Sequence, residues 1–158
     1  MSFLLRPARQ FVPFLILASS FCVTQPLHAA GADLALTPEA LKALEQRASE
    51  AKPREQCFLY TELVHVMTEK AGKEISDGDS EQAAATLKQI DKYAHLIHLN
   101  LARDTKRLKN AEMLMHNTTF HLAQYLHLVS GDDQAVVKDT LKQLNQVNDE
   151  LLAQVFTH

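Results

Sequence analysis

Residues Ser80 to Val129, SEQAAATLKQIDKYAHLIHLNLARDTKRLKNAEMLMHNTTFHLAQYLHLV, decide the fold. They contain neither Gly nor Pro. Apolar or small side chains recur at Ala83, Leu87, Ile90, Ala94, Ile97, Leu101, Leu108, Ala111, Met115, Thr118, Leu122, Tyr125 and Val129, with Asp104 the one charged member of the series. The steps alternate four and three without a slip, the spacing by which one helix face meets another helix. The stretch predicts an all-α fold: an antiparallel helical bundle of three to four main helices built around a long central helix over 80–129. As one helix it would run about 75 Å. The alternative is a break near 103–107, where Arg103, Asp104, Lys106 and Arg107 bring charge to the seam and Asp104 can cap a new helix. Register carries through that patch and no turn residue interrupts it, which favours the unbroken form.

The flanks extend the same pattern. Thr37-Pro38-Glu39 opens a first helix, with a capping hydroxyl, a Pro where no N–H is needed and an acid at the positive helix end. Leu41, Leu44 and Ala48 face inward, and the helix stops near Ala51 because Pro53 restricts Lys52. A second helix runs from Pro53 to about Ile75 with Cys57, Tyr60, Val64, Met67, Ala71 and Ile75 on its inner face. Asp77-Gly78-Asp79-Ser80 forms a turn, with Asp79 or Ser80 as the next cap. After Ser130, Gly131 ends the long stretch in a left-handed conformation and Asp132 caps a last helix over 133–156. That helix carries Val137, Leu141, Leu144, Asn148, Leu151 and Val155 inward, Asn148 as a polar register device. No internal repeat or linker stands out, so residues 31–158 form a single helical-bundle domain.

Composition agrees. The 158 residues include no Trp, four Gly and five Pro, and all the Pro lie at or before Pro53. A β-sandwich needs turn residues far more often. Residues 1–30 read as a cleaved signal peptide. Arg6 and Arg9 precede an apolar run from Phe11 to Val23, too short to span a bilayer comfortably, and small residues at Ala29 and Ala30 offer the cut. There is no Arg-Arg pair, so the general export route is expected, to the periplasm or outside. A lipid anchor at Cys22 is the rival, disfavoured by the bulk of Phe21 before it. No later stretch forms an integral membrane segment. Setting aside Arg6 and Arg9 takes the 16 basic residues to 14 against 19 acidic, a net of −5. That balance gives no electrostatic reason to bind nucleic acid. Cys57 is left alone in the mature chain and cannot form an internal disulfide, so it is a buried small hydrophobe or, failing that, a bridge to another chain.

Histidine is the one unusual count, with His65, His95, His98, His116, His121, His127 and His158 after the leader. Glu62 and His65 lie three apart, and Glu112 and His116 four apart, so each pair shares a helix face and could hold one metal ion. A di-iron site needs two Glu-x-x-His units, and only the first pair has that spacing. Met113, Met115, His116 and His121 supply thioether and imidazole, the donors copper prefers, although on one helix they point in different directions. His95 and His98 have a zinc spacing on an amphipathic face. A haem between Met67 and a His has no specific support. Arg103, Lys106, Arg107 and Lys109 read as a solvated face rather than an anion site.

No nucleophile elbow, phosphate loop or zinc-protease motif is present, and Cys57 and His65 sit two helical turns apart. Leu96, Leu99, Met113 and Phe120 lie opposite the main seam. They are either covered by a second neighbour or form a partner or homodimer surface. The sequence therefore supports an exported, periplasmic, non-catalytic helical bundle that works as a binding or assembly module through helix faces, to a protein partner or its own copy. The alternative is a periplasmic metal-binding protein taking copper or zinc through His, Met and Glu side chains.

Overall fold

The computed structural model of the protein describes residues 36–101 and 105–157. The expected signal peptide 1–30 with Cys22, and Arg103, Asp104 and His158, lie outside the described residues. Five helices and no strand occur among those described: α1 (Pro38–Glu50), α2 (Pro53–Asp77), α3 (Ser80–Leu99), α4 (Leu108–Tyr125) and α5 (Gly131–Phe156). None is long and apolar enough to cross a membrane.

Local chemistry sets most boundaries. Thr37 Oγ1 accepts the Ala40 N–H at 3.3 Å, and Pro38 is the first residue of α1. Gly78 closes α2 at φ 82°, so that the Asp79 N–H reaches the Glu74 carbonyl at 2.8 Å. Asp79 stands at the cap of α3 without a side-chain hydrogen bond. Helix α5 begins at Gly131 itself, φ 61°, with Ser130 rather than Asp132 in the cap position.

The long stretch does not form one helix. Helix α3 ends at Leu99, where the Asn100 side-chain amide donates to the Leu96 carbonyl at 2.7 Å beside the Asn100 backbone N–H at 3.2 Å. Helix α4 restarts at Leu108 after Arg107, which takes the left-handed conformation at φ 58°. The turn is fastened to the start of α2. The Lys106 N–H donates to the Arg54 carbonyl at 2.8 Å, Lys106 Nζ pairs with Glu55 at 2.9 Å, and the Arg107 guanidinium lies 3.5 Å over the Phe58 ring. A straight helix would leave half its seam without a partner. Folding it back places Leu87, Ile90 and Ile97 in the same core as Leu108, Met115 and Leu122.

Nor are all neighbours antiparallel. Helices α2 and α3 form one antiparallel hairpin, and α4 and α5 another. The hairpins dock so that α2 lies beside α4 and α3 beside α5. Cross-links climb both pairs in step. On α2 and α4, Glu55 meets Lys106, His65 meets Thr118 and Glu69 meets His121. On α3 and α5, Asp91 meets Gln143 and His98 meets Glu150. Both pairs are therefore parallel, and α3 and α4 are diagonal. Helix α1 covers the outer groove of the first hairpin, burying Ala48 and holding Glu45 against the Tyr93 hydroxyl.

The hairpins also share a buried pattern that contradicts the expectation of no repeat. Cys57, Tyr60, Val64, Thr68 and Ala71 answer at one constant offset to Leu108, Ala111, Met115, Thr119 and Leu122, all buried. Ala83, Thr86, Ile90, Tyr93 and Ile97 answer likewise to Val137, Thr140, Leu144, Val147 and Leu151. The run Thr86-Leu87-Lys88-Gln89-Ile90-Asp91 returns as Thr140-Leu141-Lys142-Gln143-Leu144-Asn145. The expected register device Asn148 is half-buried, with its Oδ1 buried and unpaired.

Asp91 differs from its counterpart Asn145 in charge. Burial raises its carboxyl pKa above the ordinary value of 3.8, Thr140 beside it pulls the other way, and Asp139 adds to the rise. A raised folded-state pKa favours the neutral acid. That contribution to stability is full below the unfolded value and is lost as pH rises through the folded one. Asp91→Asn should therefore raise the urea midpoint at pH 7, with the gain shrinking toward pH 3. An equal gain at both pH values, or a loss at pH 7, would contradict this account.

Candidate functional site

The α2–α4 contact is lined by small residues. Ala71, Gly72 and Ala111 are buried, as are Thr61, Thr68 and Thr118. Each of these Thr hydroxyls donates to the carbonyl four residues back, Cys57, Val64 and Leu114 respectively, so their burial leaves no unmet donor. Toward solvent the contact opens into a groove of about 490 Å³ lined by Leu36, His65, Val66, Glu69, Gly72, Lys73, Ser76 and Tyr125. Gly72 forms its floor. The Tyr125 ring lies so close that a β-carbon at this position would collide with the ring tip.

Two polar rungs cross the groove, one turn apart. His65 Nδ1 on α2 lies 2.9 Å from Thr118 Oγ1 on α4, and His121 Nδ1 on α4 lies 2.6 Å from Glu69 Oε1 on α2. The two imidazoles are 6.3 Å apart, centroid to centroid. Burial lowers the His65 pKa, opposed by Glu69 and aided by His121, which keeps this ring neutral at ordinary pH. Burial, then the Glu69 charge, raises the Tyr125 phenol. Glu69 therefore faces His121, His65 and Tyr125 together.

The remaining sequence candidates are scattered. Glu62 pairs with Arg47 of α1 at 2.8 Å rather than joining His65. Met115 is fully buried in the core, Met113 is 56% exposed, His116 is exposed and Glu112 is half-buried. The copper-type group Met113, Met115, His116 and His121 is thus divided among the core, the groove and the outer face. His95 and His98 are exposed with rings 6.2 Å apart, and His98 Nδ1 meets Glu150 at 2.6 Å. Among the described residues no three His, Cys, Asp or Glu side chains form a ready cage for a metal ion. Cys57 is fully buried, and burial pushes its thiol up to about 12, so the protonated form holds in the native state. What sequence reading missed is the pairing of His65 with His121. Each was visible alone, but their meeting depends on the parallel register of α2 against α4.

The outer face of α4 is the second feature. Met113 and Phe120 are exposed there; on α3 Leu99 is exposed and Leu96 half-buried, so among the described residues no second neighbour covers Met113, Phe120 or Leu99. From Met113 to Gly131 the chain has no Asp, Glu, Lys or Arg. Its exposed positions there include Met113, His116, Asn117, Phe120, Gln124, His127 and Leu128. Compared with protein-family models, curated proteins and solved structures, the chain matches none.

Gly72→Ala tests the close approach at the groove floor. Alone it should destabilise the fold by about 1 kcal/mol, because the Tyr125 ring must leave. In a Tyr125→Ala background the same change should stabilise by about 0.5–1 kcal/mol, the ordinary gain of Ala over Gly inside a helix. Denaturant unfolding of the four proteins measures both. A stabilising effect with Tyr125 present, or the same effect in both backgrounds, would mean that Tyr125 does not rest on Gly72.

Proposed function

We propose that the protein is an exported, non-catalytic assembly module that pairs with a second copy of itself through the outer face of α4. One observation carries the proposal: Phe120, 61% exposed, and Met113 stand on the part of α4 beyond Lys109 and Glu112, where the helix carries no formal charge. The fold does not require this composition. Exposed positions on α3 and α5 carry Glu81, Lys88, Lys92, Lys138, Asp139, Lys142 and Asp149. Depletion of charge with enrichment of Phe and Met is the composition of an interface centre.

A second copy is the occupant because a two-fold contact sets a surface against itself, where like charges would meet. A face bearing only neutral side chains avoids that repulsion. Helix α4 is about 27 Å long, so two such faces bury less than the ~800 Å² a side of a standard interface. The dimer should be of micromolar strength. Export is supported by the leader-like residues 1–30, and the absence of catalysis by the lack of a nucleophile motif and by the buried, protonated Cys57.

Sedimentation velocity on the mature chain between about 1 and 300 µM provides the test. The wild type should pass from monomer to dimer across that range. The exposed substitution Phe120→Asp should remain monomeric with an unchanged melting curve. A wild type that stays monomeric throughout, or a dimer indifferent to Phe120→Asp, refutes the proposal.

A further inference from the structure

We propose that His65 and His121 form a two-nitrogen site for a divalent transition-metal ion at the mouth of the α2–α4 groove, independent of self-association through α4. The argument begins with proton positions. Thr118 Oγ1 lies 2.7 Å from the Leu114 carbonyl and 2.9 Å from His65 Nδ1. A carbonyl oxygen only accepts, so the single hydroxyl proton belongs to that contact. His65 Nδ1 must then be the donor to Thr118. On the next rung Glu69 is a carboxylate, which also only accepts, so His121 Nδ1 carries a proton as well.

In the neutral rings both Nε2 atoms therefore present bare lone pairs. Metal-binding histidines are built this way: the far nitrogen donates to a carboxylate or other oxygen, which fixes the tautomer and the ring orientation. Here each anchor comes from the opposite helix, so the two rings are held by the docking of the hairpins. Their separation also fits. With a metal–nitrogen bond of 2.0–2.1 Å, one ion between two Nε2 atoms allows ring centroids up to about 6.4 Å apart. The observed spacing is 6.3 Å. A bent arrangement would draw the half-exposed rings about 1 Å closer.

Two imidazoles with the remaining positions open to water suit nitrogen-seeking ions, with Cu²⁺ tightest among the divalent first-row metals. The site does not use Met113, Met115, His116 or Glu112. Glu69 acts as a positioning residue behind His121 rather than as a ligand.

Cu²⁺ alone, added to the mature chain without a histidine tag, is the probe. One ion per chain should bind, with two nitrogens in its electron paramagnetic resonance spectrum. Affinity should fall at least about tenfold in His65→Gln and in His121→Gln, and by about tenfold in Glu69→Gln with the stoichiometry kept. His95→Gln should change nothing. In the metal-free wild type, nitrogen-15 spectra of the imidazoles should show both rings protonated at Nδ1, a readout that needs no variant to fold. The opposite tautomer at either ring, binding that survives both His substitutions, or binding abolished by His95→Gln overturns the site.

Discussion

The structure depends on the parallel docking of α2 against α4. Two antiparallel hairpins could be joined in several ways, and the residues around the turn between α3 and α4 select one. The Lys106 N–H on the Arg54 carbonyl, the Lys106–Glu55 pair and Arg107 over Phe58 fasten the start of α4 to the start of α2. With the two helices begun at one level and running the same way, His65 falls beside Thr118 and Glu69 beside His121. The second hairpin then carries α5 to α3 in matching register. Exposed ion pairs contribute little singly, so the backbone bond and the stacked guanidinium are the more durable parts of this fastening.

Much of this was legible in the sequence, for a definite reason. The four-three seam states which side of a helix faces the core, and it is right on both sides of the break. Ala83, Leu87, Ile90, Ala94 and Ile97 are buried, as are Leu108, Ala111, Met115, Thr118 and Leu122. The seam does not state whether the helix is continuous, because a chain that turns back can resume the same phase. The turn itself left no usual mark. Its left-handed residue is Arg107 rather than Gly or Asn, and it is held by contacts to α2 that no local pattern encodes. The direction of neighbouring helices was equally hidden. The return of Thr-Leu-Lys-Gln at Thr86 and Thr140 was in plain view, and its meaning emerges once both runs are seen on the second helix of each hairpin.

The groove follows from the same docking. Thr, Ala and Gly along α2 and α4 allow the backbones to approach closely, and small side chains leave room toward solvent that larger ones would fill. His65 and His121 stand at the edge of that room. Burial acts against the charged form of His65, while the Thr118 hydroxyl, committed to Leu114, can take a proton from the ring but cannot give one. The helix backbone thus reaches through Thr118 to set which nitrogen of His65 is bare. A Val at position 118 would pack as well and leave that choice open. The polar rung is therefore more specific than packing alone requires.

Helix α4 joins these features. Its inner face supplies Met115 and Leu122 to the core, one flank supplies Thr118 and His121 to the polar rungs with α2, and its outer face supplies Met113 and Phe120 to solvent. A bundle helix satisfies stability with the inner face alone, and its outer positions are free to carry charge, as α3 and α5 show with Lys88, Lys92, Lys142 and Asp149. From Met113 to Gly131 that freedom is not used, and histidine is the only titratable side chain besides Tyr125. Met113, Asn117, Phe120 and Gln124 let the outer face approach another surface without desolvating a fixed charge, which is the costly step in burying a polar patch. The composition of α4 is thus explained by contact on its outer side and by lone-pair chemistry on its flank, neither of which the core demands.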